Sequence, residues 1–201
     1  MATISVKSNA ARPSVAAPAS SPMSPKRTKR NTFFVMADPK PALTAAVVTV
    51  SDSCAGGQRK DVSGPAVAQL LEKLNFSVAA QEVVPDDEIR IQNVLIRLAR
   101  QVRLIVTTGG TGIAPRDVTP EATARVCDRM LDGVAEKMRS EGMKKTQYAA
   151  LSRGICGVRG QALILNLPGS PNGAVESLEA VAGLLPHAIE LLSGQTEHIQ
   201  P

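Results

Sequence analysis

The sequence predicts an α/β fold with three layers, in which a mainly parallel, Rossmann-like sheet lies between two layers of helices. Three observations predict it. Short apolar runs alternate with segments of helical periodicity after residue 44, which is typical of strands joined by crossover helices. Aromatic residues make up only 2% of the chain, so the core must be built from Val, Leu, Ile and Ala, the residues of strands buried on both faces. The length of 201 residues suits one sizeable domain and a tail.

The first unit of strand, helix and strand covers residues 45–84. Residues 45–50 are an apolar run and predict a buried strand. Ser63-Gly64-Pro65 is a helix start. It is followed by apolar residues at the spacing of one helix face, namely Val67, Leu70, Leu71 and Leu74. Residues 76–84 predict the second strand.

The next unit begins with the acids of residues 85–88, which suit the first turn of a helix because they complement its dipole. The stripe that this helix turns inward is Ile91, Val94, Leu95 and Leu98. Residues 103–108 form a compact apolar run and predict the third strand.

The second half of the chain follows a similar order. Thr119 is expected to be an N-cap, with Pro120 at the first helical position, and this helix should end near Met130. An irregular region is expected to follow through Gly160. The strand Ala162–Leu167, a turn over residues 168–172 and a long helical stretch complete the chain, and Pro186 should kink or restart that last helix.

The charge is unevenly distributed between the two ends of the chain. Residues 1–40 hold seven Lys or Arg and only one acid, whereas the remaining residues hold 16 Lys or Arg and 17 Asp or Glu. We therefore expect residues 1–42 to be a disordered basic tail, either a transit peptide for organelle import or a dispensable extension, and residues 43–201 to be the folded domain. A nearly neutral domain with few aromatic side chains argues against nucleic-acid binding.

The cysteine and histidine inventory excludes several other classes of protein. The three cysteines show no C-x-x-C spacing, and the two histidines, His187 and His198, both lie near the C-terminus. A disulfide framework, a zinc site and a Ser/His/Asp or Cys/His triad are therefore not expected. The sequence also contains no secretion signal and no apolar stretch long enough to span a membrane, so we expect a cytoplasmic protein unless the tail directs import.

Three loops leave the ends of predicted strands and enter helices. They begin at Ser51, Gly109 and Pro168, and in a parallel sheet all three must meet at one edge. The loop over residues 109–117 (GGTGIAPRD) is the strongest local signal, because three glycines in four positions can bring backbone N–H groups close to a phosphate. It matches neither the Walker A loop nor the dinucleotide fingerprint. A tight turn that needs its glycines only for geometry is the alternative.

Two acidic side chains are candidates for a metal site at the same edge. Asp117 follows Arg116 at the end of the glycine loop, and Asp86 follows the second strand. A carboxylate beside a phosphate cradle is useful when it holds Mg²⁺, which prefers carboxylate, water and phosphate oxygens. The alternative for each is an acid that only complements a helix dipole.

Two further groups of polar residues are candidates for ligand contacts. Ser152 and Arg153 stand in a glycine-containing stretch, residues 151–160, which suits a flexible loop over a phosphorylated ligand, or else a solvent-facing loop. Residues 61–65 (DVSGP) are a weaker signal that a helix start alone could explain.

From about Ala45 to about Gly194 the chain resembles the molybdopterin adenylyltransferase family, which includes MogA and the G domains of gephyrin and of the plant molybdenum-cofactor protein. The plant-type G domain is the most similar of these. The ordered series of matching motifs is much more specific than any one of them, and it comprises residues 48–52 (VTVSD), 61–65 (DVSGP), 84–86 (VPD), 108–123 (TGGTGIAPRDVTPEAT), 151–153 (LSR), 157–160 (GVRG) and 166–171 (NLPGSP).

The resemblance implies a MogA/MoaB-like fold and a reaction in which ATP and molybdopterin, both substrates, give adenylyl-molybdopterin and pyrophosphate with the help of Mg²⁺. It implies that Asp117 and Asp86 are the catalytic and metal-binding residues. The implied nucleotide-binding residues are Gly109, Gly110, Thr111, Gly112, Asn166, Pro168 and Gly169. The implied molybdopterin-binding residues are Ser51, Asp52, Asp61, Ser63, Ser152 and Arg153.

The resemblance also implies a homotrimer and a separate molybdenum-insertion protein as a partner, because no second, molybdate-inserting domain is recognised in the chain. Ser170 replaces an Asn that is often found in the last motif, and Gly154 replaces a small polar residue. A module of the same fold that binds a pterin or a partner without catalysis is the main alternative, and an unrelated nucleotide-dependent oxidoreductase is a third.

Overall fold

The computed structural model describes residues 42–194, and the tail expected over residues 1–42 lies almost entirely outside the described residues. The described part contains six strands and seven α-helices. The strands are β1 (Thr44–Val50), β2 (Ser77–Val84), β3 (Leu104–Thr108), β4 (Arg129–Met130), β5 (Cys156–Arg159) and β6 (Ala162–Leu167). The helices are α1 (Asp52–Ala55), α2 (Ser63–Lys73), α3 (Glu88–Leu98), α4 (Thr119–Val126), α5 (Asp132–Met143), α6 (Pro171–Val181) and α7 (Leu185–Leu192).

All six strands form one sheet in the order β2-β1-β3-β6-β5-β4. The four strands β2, β1, β3 and β6 are parallel, while β5 is antiparallel to β6 and β4 is antiparallel to β5. The prediction of a mainly parallel sheet is therefore confirmed. Because β1, β3 and β6 are adjacent and parallel, the loops that follow them leave the same edge.

The core is divided between the two faces of the sheet. Ala45 and Val47 of β1 pack with α2, α5, α6 and α7 on one face, whereas Ala46 and Val48 pack with α3 and α4 on the other. This alternation follows from the two-residue period of a strand. Helices thus cover both faces, and the predicted three layers are present.

The region between α4 and β6 differs from its prediction. The helix that was expected to reach Met130 ends at Val126, because Cys127 turns into an extended conformation that leads into β4. The expected irregular region instead contains the 12-residue helix α5, a 3₁₀ turn (Gln147–Leu151) and the strand β5. Sequence periodicity did not indicate α5 because only Ala135 and Met138 on it are buried.

The C-terminal helical stretch is interrupted as expected. A 3₁₀ turn (Ala182–Leu184) separates α6 from α7, and Pro186 lies in the first turn of α7, where its missing N–H costs nothing. Among residues 42–194, no helix combines the length and the apolar character that crossing a bilayer requires.

Candidate active site

The three loops predicted to converge do meet at the carboxyl edge of the sheet. The Gly109 N–H, directly after β3, donates a hydrogen bond to the Leu167 carbonyl at the end of β6 (3.2 Å), and the Ser51 N–H donates to the Val84 carbonyl at the end of β2 (2.9 Å). The turn after β6 touches the same point, because a Cβ on Gly169 would lie 3.2 Å from the Gly109 Cα. The glycine loop is therefore at the centre of this edge.

The glycines of this loop are required by contacts within the protein. Gly109 and Gly110 have positive φ values of 94° and 61°, which L side chains rarely adopt. A Cβ on Gly109 would lie 2.3 Å from the Val50 carbonyl oxygen, and one on Gly110 would lie 2.3 Å from the Thr119 Oγ1. The tight turn considered as the alternative is thus present. Phosphate binding by Gly109, Gly110, Thr111 and Gly112 stays a prediction.

Asp86 and Asp117 both approach glycines of this loop. A Cβ on Gly110 would lie 3.1 Å from the Asp86 Oδ1, and one on Gly112 would lie 2.8 Å from the Asp117 Oδ2. Burial raises the pKa of Asp86, and the negative charges of Asp52 and Asp117 raise it further. The two acids therefore lie on one side of the molecule, close enough for their charges to interact.

Asp52 is tied directly to Asp86. The Asp52 N–H donates to the Asp86 Oδ2 (2.8 Å), and the Asp86 N–H donates to the Asp52 Oδ1 (3.0 Å). This reciprocal pair joins the loop after β1 to the loop after β2. The expected contact of Asp52 with molybdopterin stays a prediction, and the structure shows that Asp52 holds Asp86 through these two hydrogen bonds.

Arg116 is the cation that faces these acids. Its Nη2 and Nε donate to the Asp52 Oδ2 at 2.6 and 3.1 Å, although its side chain is 67% exposed. The hydrogen bond from Arg116 lowers the pKa of Asp52, and the backbone bond between Asp52 and Asp86 acts in the same direction. The ion pair connects the end of the glycine loop with the start of α1.

The acid pair has the chemistry of a magnesium site but not of a closed metal centre. Among residues 42–194, no group of three or more His, Cys, Asp or Glu side chains is arranged to hold a metal ion. Mg²⁺ is usually bound through one or two carboxylates, with water and substrate phosphate filling the other positions. Asp86 and Asp117 fit that requirement, and a cation there would offset the negative charges of Asp52 and Asp117, which add to the effect of burial on the pKa of Asp86.

Asp61 and Ser63 belong to a hydrogen-bonded network behind the loops. The Asp61 Oδ2 accepts from the Thr49 hydroxyl (2.7 Å), and its Oδ1 accepts from the Gly64 N–H (3.1 Å). The Ser63 hydroxyl is 3.0 Å from that of Thr108. Both residues therefore hold the start of α2 against the ends of β1 and β3, and their expected contact with molybdopterin stays untested.

Two serines near the edge have local roles. The Ser51 Oγ accepts from the Cys54 N–H (3.3 Å) and caps α1, while the Ser152 Oγ accepts from the Gly154 N–H (3.4 Å). Ser170, which departs from the family pattern, caps α6 through the Gly173 N–H. A serine can replace an asparagine at such a cap with little loss of stability.

Asn166 lies in the interior, and its side chain faces away from solvent. It is 1% exposed, and its Nδ2 donates to the hydroxyls of Thr107 (2.9 Å) and Thr123 (3.0 Å). Its Oδ1 accepts from the Ile155 N–H (3.4 Å). The residue connects β6, β3 and α4, so its implied contact with a nucleotide would have to be made by its backbone.

Four interactions around the glycine loop were not foreseen from the sequence. The N-cap of α4 is Val118 and not Thr119. The Thr119 hydroxyl instead donates to the Gly109 carbonyl (2.9 Å). Arg153 reaches the carbonyls of Gly112 and Asp117 and forms an ion pair with Glu121. These contacts bridge distant segments, so no local pattern in the sequence signals them.

The thiols of Cys127 and Cys156 are unsuited to catalysis. Burial raises the pKa of Cys127 to about 11 and that of Cys156 to about 12. Both are therefore protonated at neutral pH, as expected for cysteines that pack like small apolar residues.

The chain matches a known family over most of its described length. The model of the "Probable molybdopterin binding domain" family matches residues 46–187. The molybdopterin adenylyltransferase of Helicobacter pylori is 41% identical over 74% of this chain and 86% of its own length. That of Escherichia coli K12 is 36% identical over 76% of this chain and 86% of its own length. The molybdenum cofactor synthesis protein cinnamon of Drosophila melanogaster is 44% identical, but this chain spans only 26% of it.

Solved structures agree with the family match. MoaB from Thermus thermophilus, described as a molybdopterin biosynthesis enzyme, is 52% identical and superposes with a TM-score of 0.72, over 76% of this chain and 97% of its own. A MogA structure is 41% identical with a TM-score of 0.70, over 74% of this chain and 99% of its own. The predicted MogA/MoaB-like fold is thus confirmed, and the chain belongs to the molybdopterin-binding domain family of molybdenum cofactor biosynthesis proteins.

Proposed function

We propose that this protein is a Mg²⁺-dependent molybdopterin adenylyltransferase, which transfers AMP from ATP to the terminal phosphate of molybdopterin and releases pyrophosphate. Two adenylyltransferases similar to this chain over nearly their whole length support the reaction. The observation that carries the proposal within this chain is that Asp86 lies beside Gly110 and Asp117 beside Gly112 of the glycine loop, at the carboxyl edge of the sheet.

The chemistry needs little from the protein beyond positioning and charge neutralisation. An oxygen of the molybdopterin phosphate forms a bond to the α-phosphorus of ATP, and the bond from that phosphorus to the bridging oxygen of the β-phosphate breaks. The electron pair leaves with pyrophosphate. Bound Mg²⁺ would supply positive charge to the triphosphate, and Asp86 and Asp117 are the residues that would hold it.

The remaining residues of the edge orient these two acids and the substrates. Asp52 fixes Asp86 through the reciprocal hydrogen bonds, and the hydrogen bond from Arg116 lowers the pKa of Asp52. We propose that backbone N–H groups of residues 109–112 hold phosphate oxygens, with Pro168 and Gly169 bordering the nucleotide. Ser51 and Ser152 are proposed to face molybdopterin.

Three broader features belong to the same proposal. A homotrimer is proposed from the family resemblance, as is direct transfer of the product to a separate molybdenum-insertion protein. A cytoplasmic location agrees with three free cysteines and no disulfide within residues 42–194. The oligomeric state can be measured by light scattering coupled to size exclusion.

The decisive experiment is turnover by the purified protein. Incubation with ATP, Mg²⁺ and molybdopterin should yield pyrophosphate and adenylyl-molybdopterin in equal amounts. Asp117→Asn keeps an oxygen that can accept from the Ala114 N–H, now 2.9 Å from the Asp117 Oδ2, but removes the charge. We expect this variant to bind molybdopterin within about twofold of the parent and to lose about 100-fold or more in rate, the loss typical of one electrostatic catalytic group.

A matched control separates this effect from a general loss of acidic charge. Glu72→Gln removes one exposed carboxylate near the C-terminal end of α2, away from the carboxyl edge of the sheet, and should retain full rate. A parent protein that binds molybdopterin but forms no product would instead identify a non-catalytic binding module. Full activity of Asp117→Asn would show that the metal is held elsewhere.

A further inference from the structure

Arg153 holds the glycine loop at two points. Its Nε donates to the Gly112 carbonyl and its Nη2 donates to the Asp117 carbonyl, both at 2.6 Å. Its own backbone N–H donates to the Thr111 carbonyl (2.9 Å). Its Nη1 forms an ion pair with Glu121 in the first turn of α4. One side chain thus contacts both ends of the segment 112–117.

We propose that Arg153 is a positioning residue that sets the place of the Asp117 carboxylate, and that it is not a ligand of molybdopterin. This inference rests on the proposed function, because it gives Arg153 a role only if Asp117 holds the metal. It also replaces the contact with molybdopterin that the family resemblance implied for Arg153.

The geometry of the guanidinium explains why an arginine is needed. Its planar fork presents donors in fixed directions, so two donors that hold two carbonyls also fix the separation of those carbonyls. The Gly112 and Asp117 carbonyls are five residues apart, and the loop between them folds back so that the Asp117 Oδ2 accepts from the Ala114 N–H. Fixing the width of the loop therefore fixes the direction of the carboxylate.

The same contacts use three of the five N–H groups of the Arg153 guanidinium, which leaves one on Nη1 and one on Nη2 for a substrate. Each of its three guanidinium nitrogens already has an acceptor in the protein, and two of these acceptors are backbone carbonyls at short distances. A substrate phosphate could displace the Glu121 carboxylate, but moving the guanidinium would release the loop. The residue is therefore better suited to hold the site than to move with the ligand.

The test measures metal binding separately from molybdopterin binding. Mn²⁺ replaces Mg²⁺ as the probe, and its binding in the presence of a non-hydrolysable ATP analogue is followed by electron paramagnetic resonance. Arg153→Ala should weaken Mn²⁺ binding by about 10- to 100-fold, the range for residues that orient a metal ligand, and leave the Kd for molybdopterin within about twofold. Glu121→Gln should shift Mn²⁺ binding in the same direction by a smaller factor.

Arg153→Lys distinguishes the fork geometry from the charge. A lysine keeps the positive charge but cannot reproduce the planar, fixed directions that hold the Gly112 and Asp117 carbonyls, so Mn²⁺ binding should remain at least about fivefold weaker than in the parent. Arg100→Ala removes an exposed arginine between α3 and β3, at the opposite edge of the sheet, and should change neither Kd. If Arg153→Ala does not fold, the Lys and Glu121→Gln variants carry the test.

The outcomes separate this inference from the proposed function. A tenfold or greater loss of molybdopterin affinity in Arg153→Ala with unchanged Mn²⁺ binding, or full recovery in Arg153→Lys, would overturn the positioning role. A parent protein that binds the Mn²⁺–nucleotide complex but makes no product would refute the adenylyl transfer while the comparison of Mn²⁺ affinities still decides the role of Arg153. A parent that binds no Mn²⁺–nucleotide complex would refute both.

Discussion

Replacing Gly109 by alanine is the sharpest perturbation that the structure offers for the candidate site. Gly109 is the first residue after β3, and its φ of 94° lies outside the region that alanine readily adopts. The added Cβ would lie 2.3 Å from the Val50 carbonyl oxygen, which belongs to the backbone of the neighbouring strand and cannot rotate away. The substitution must therefore move the ends of β1 and β3 apart.

The magnitude follows from two contributions. A carbon and a carbonyl oxygen normally approach no closer than about 3.3 Å, so relief of the contact needs a displacement of about 1 Å. The unfavourable φ costs about 1–3 kcal/mol, and displacing packed strand ends costs a similar amount, so the free energy of unfolding should fall by about 2–6 kcal/mol. A shift of about 1 Å at a catalytic edge is also enough to reduce the rate by about 100-fold.

Gly160→Ala is the matched control for this prediction. Gly160, between β5 and β6, also has a positive φ, 57°, but a Cβ there would have no atom within 4 Å. It should lose only about 1–2 kcal/mol of stability and keep full activity. Urea unfolding and the rate of pyrophosphate release measure both variants. A Gly109→Ala protein that matched Gly160→Ala in stability and in rate would refute the close contact between the loop and β1.

Two further predictions concern Asp86 and Asn166. The pKa of Asp86 in the folded protein is raised above its ordinary 3.8, so the folded state becomes less stable as the pH rises through that pKa and the side chain ionises. Asp86→Asn cannot ionise, so it should have a higher Tm than the parent at pH 7 and an equal Tm near pH 3. Added Mg²⁺ and ATP should raise the Tm of the parent and not that of Asp86→Asn; a lower Tm for this variant at pH 7 would contradict the reasoning. Asn166→Ala leaves two buried hydroxyls without a partner and should cost about 2–4 kcal/mol in urea unfolding, with ATP affinity unchanged within about twofold. A selective loss of ATP affinity would show instead that Asn166 contacts the nucleotide.

The sequence predicted those strands and helices whose buried residues form continuous apolar runs or recur at helical spacing. The strands β1, β3 and β6 are almost fully buried and appear as continuous apolar runs, and α3 turns Ile91, Val94, Leu95 and Leu98 inward at helical spacing. In contrast, β4 has two exposed residues, and α5 has a largely exposed surface. Such elements are held in place by contacts with neighbouring elements. Their own sequences show little of the apolar pattern that predicts a strand or a helix.

The candidate site also has features that the sequence could predict and features that it could not. The meeting of the loops after β1, β3 and β6 could be predicted because it follows from parallel topology alone. The contacts of Thr119 with Gly109 and of Arg153 with Gly112 and Asp117 could not, because they depend on how segments that are 10 to 41 residues apart approach each other. Sequence reasoning therefore located the edge, whereas the contacts that its charged residues make within the protein could be known only from the structure.

The charge of the edge favours one order of events in the proposed reaction. Asp52, Asp86 and Asp117 place three carboxylates around the glycine loop, and Arg116 neutralises only one of them directly. A triphosphate without metal would meet a net negative edge, whereas a triphosphate that carries Mg²⁺ would bring the cation that these acids lack. ATP binding should consequently be weak without a divalent cation and should strengthen at least about tenfold with it. The cation should in turn bind the protein poorly without ATP, because most of its ligands would then be water.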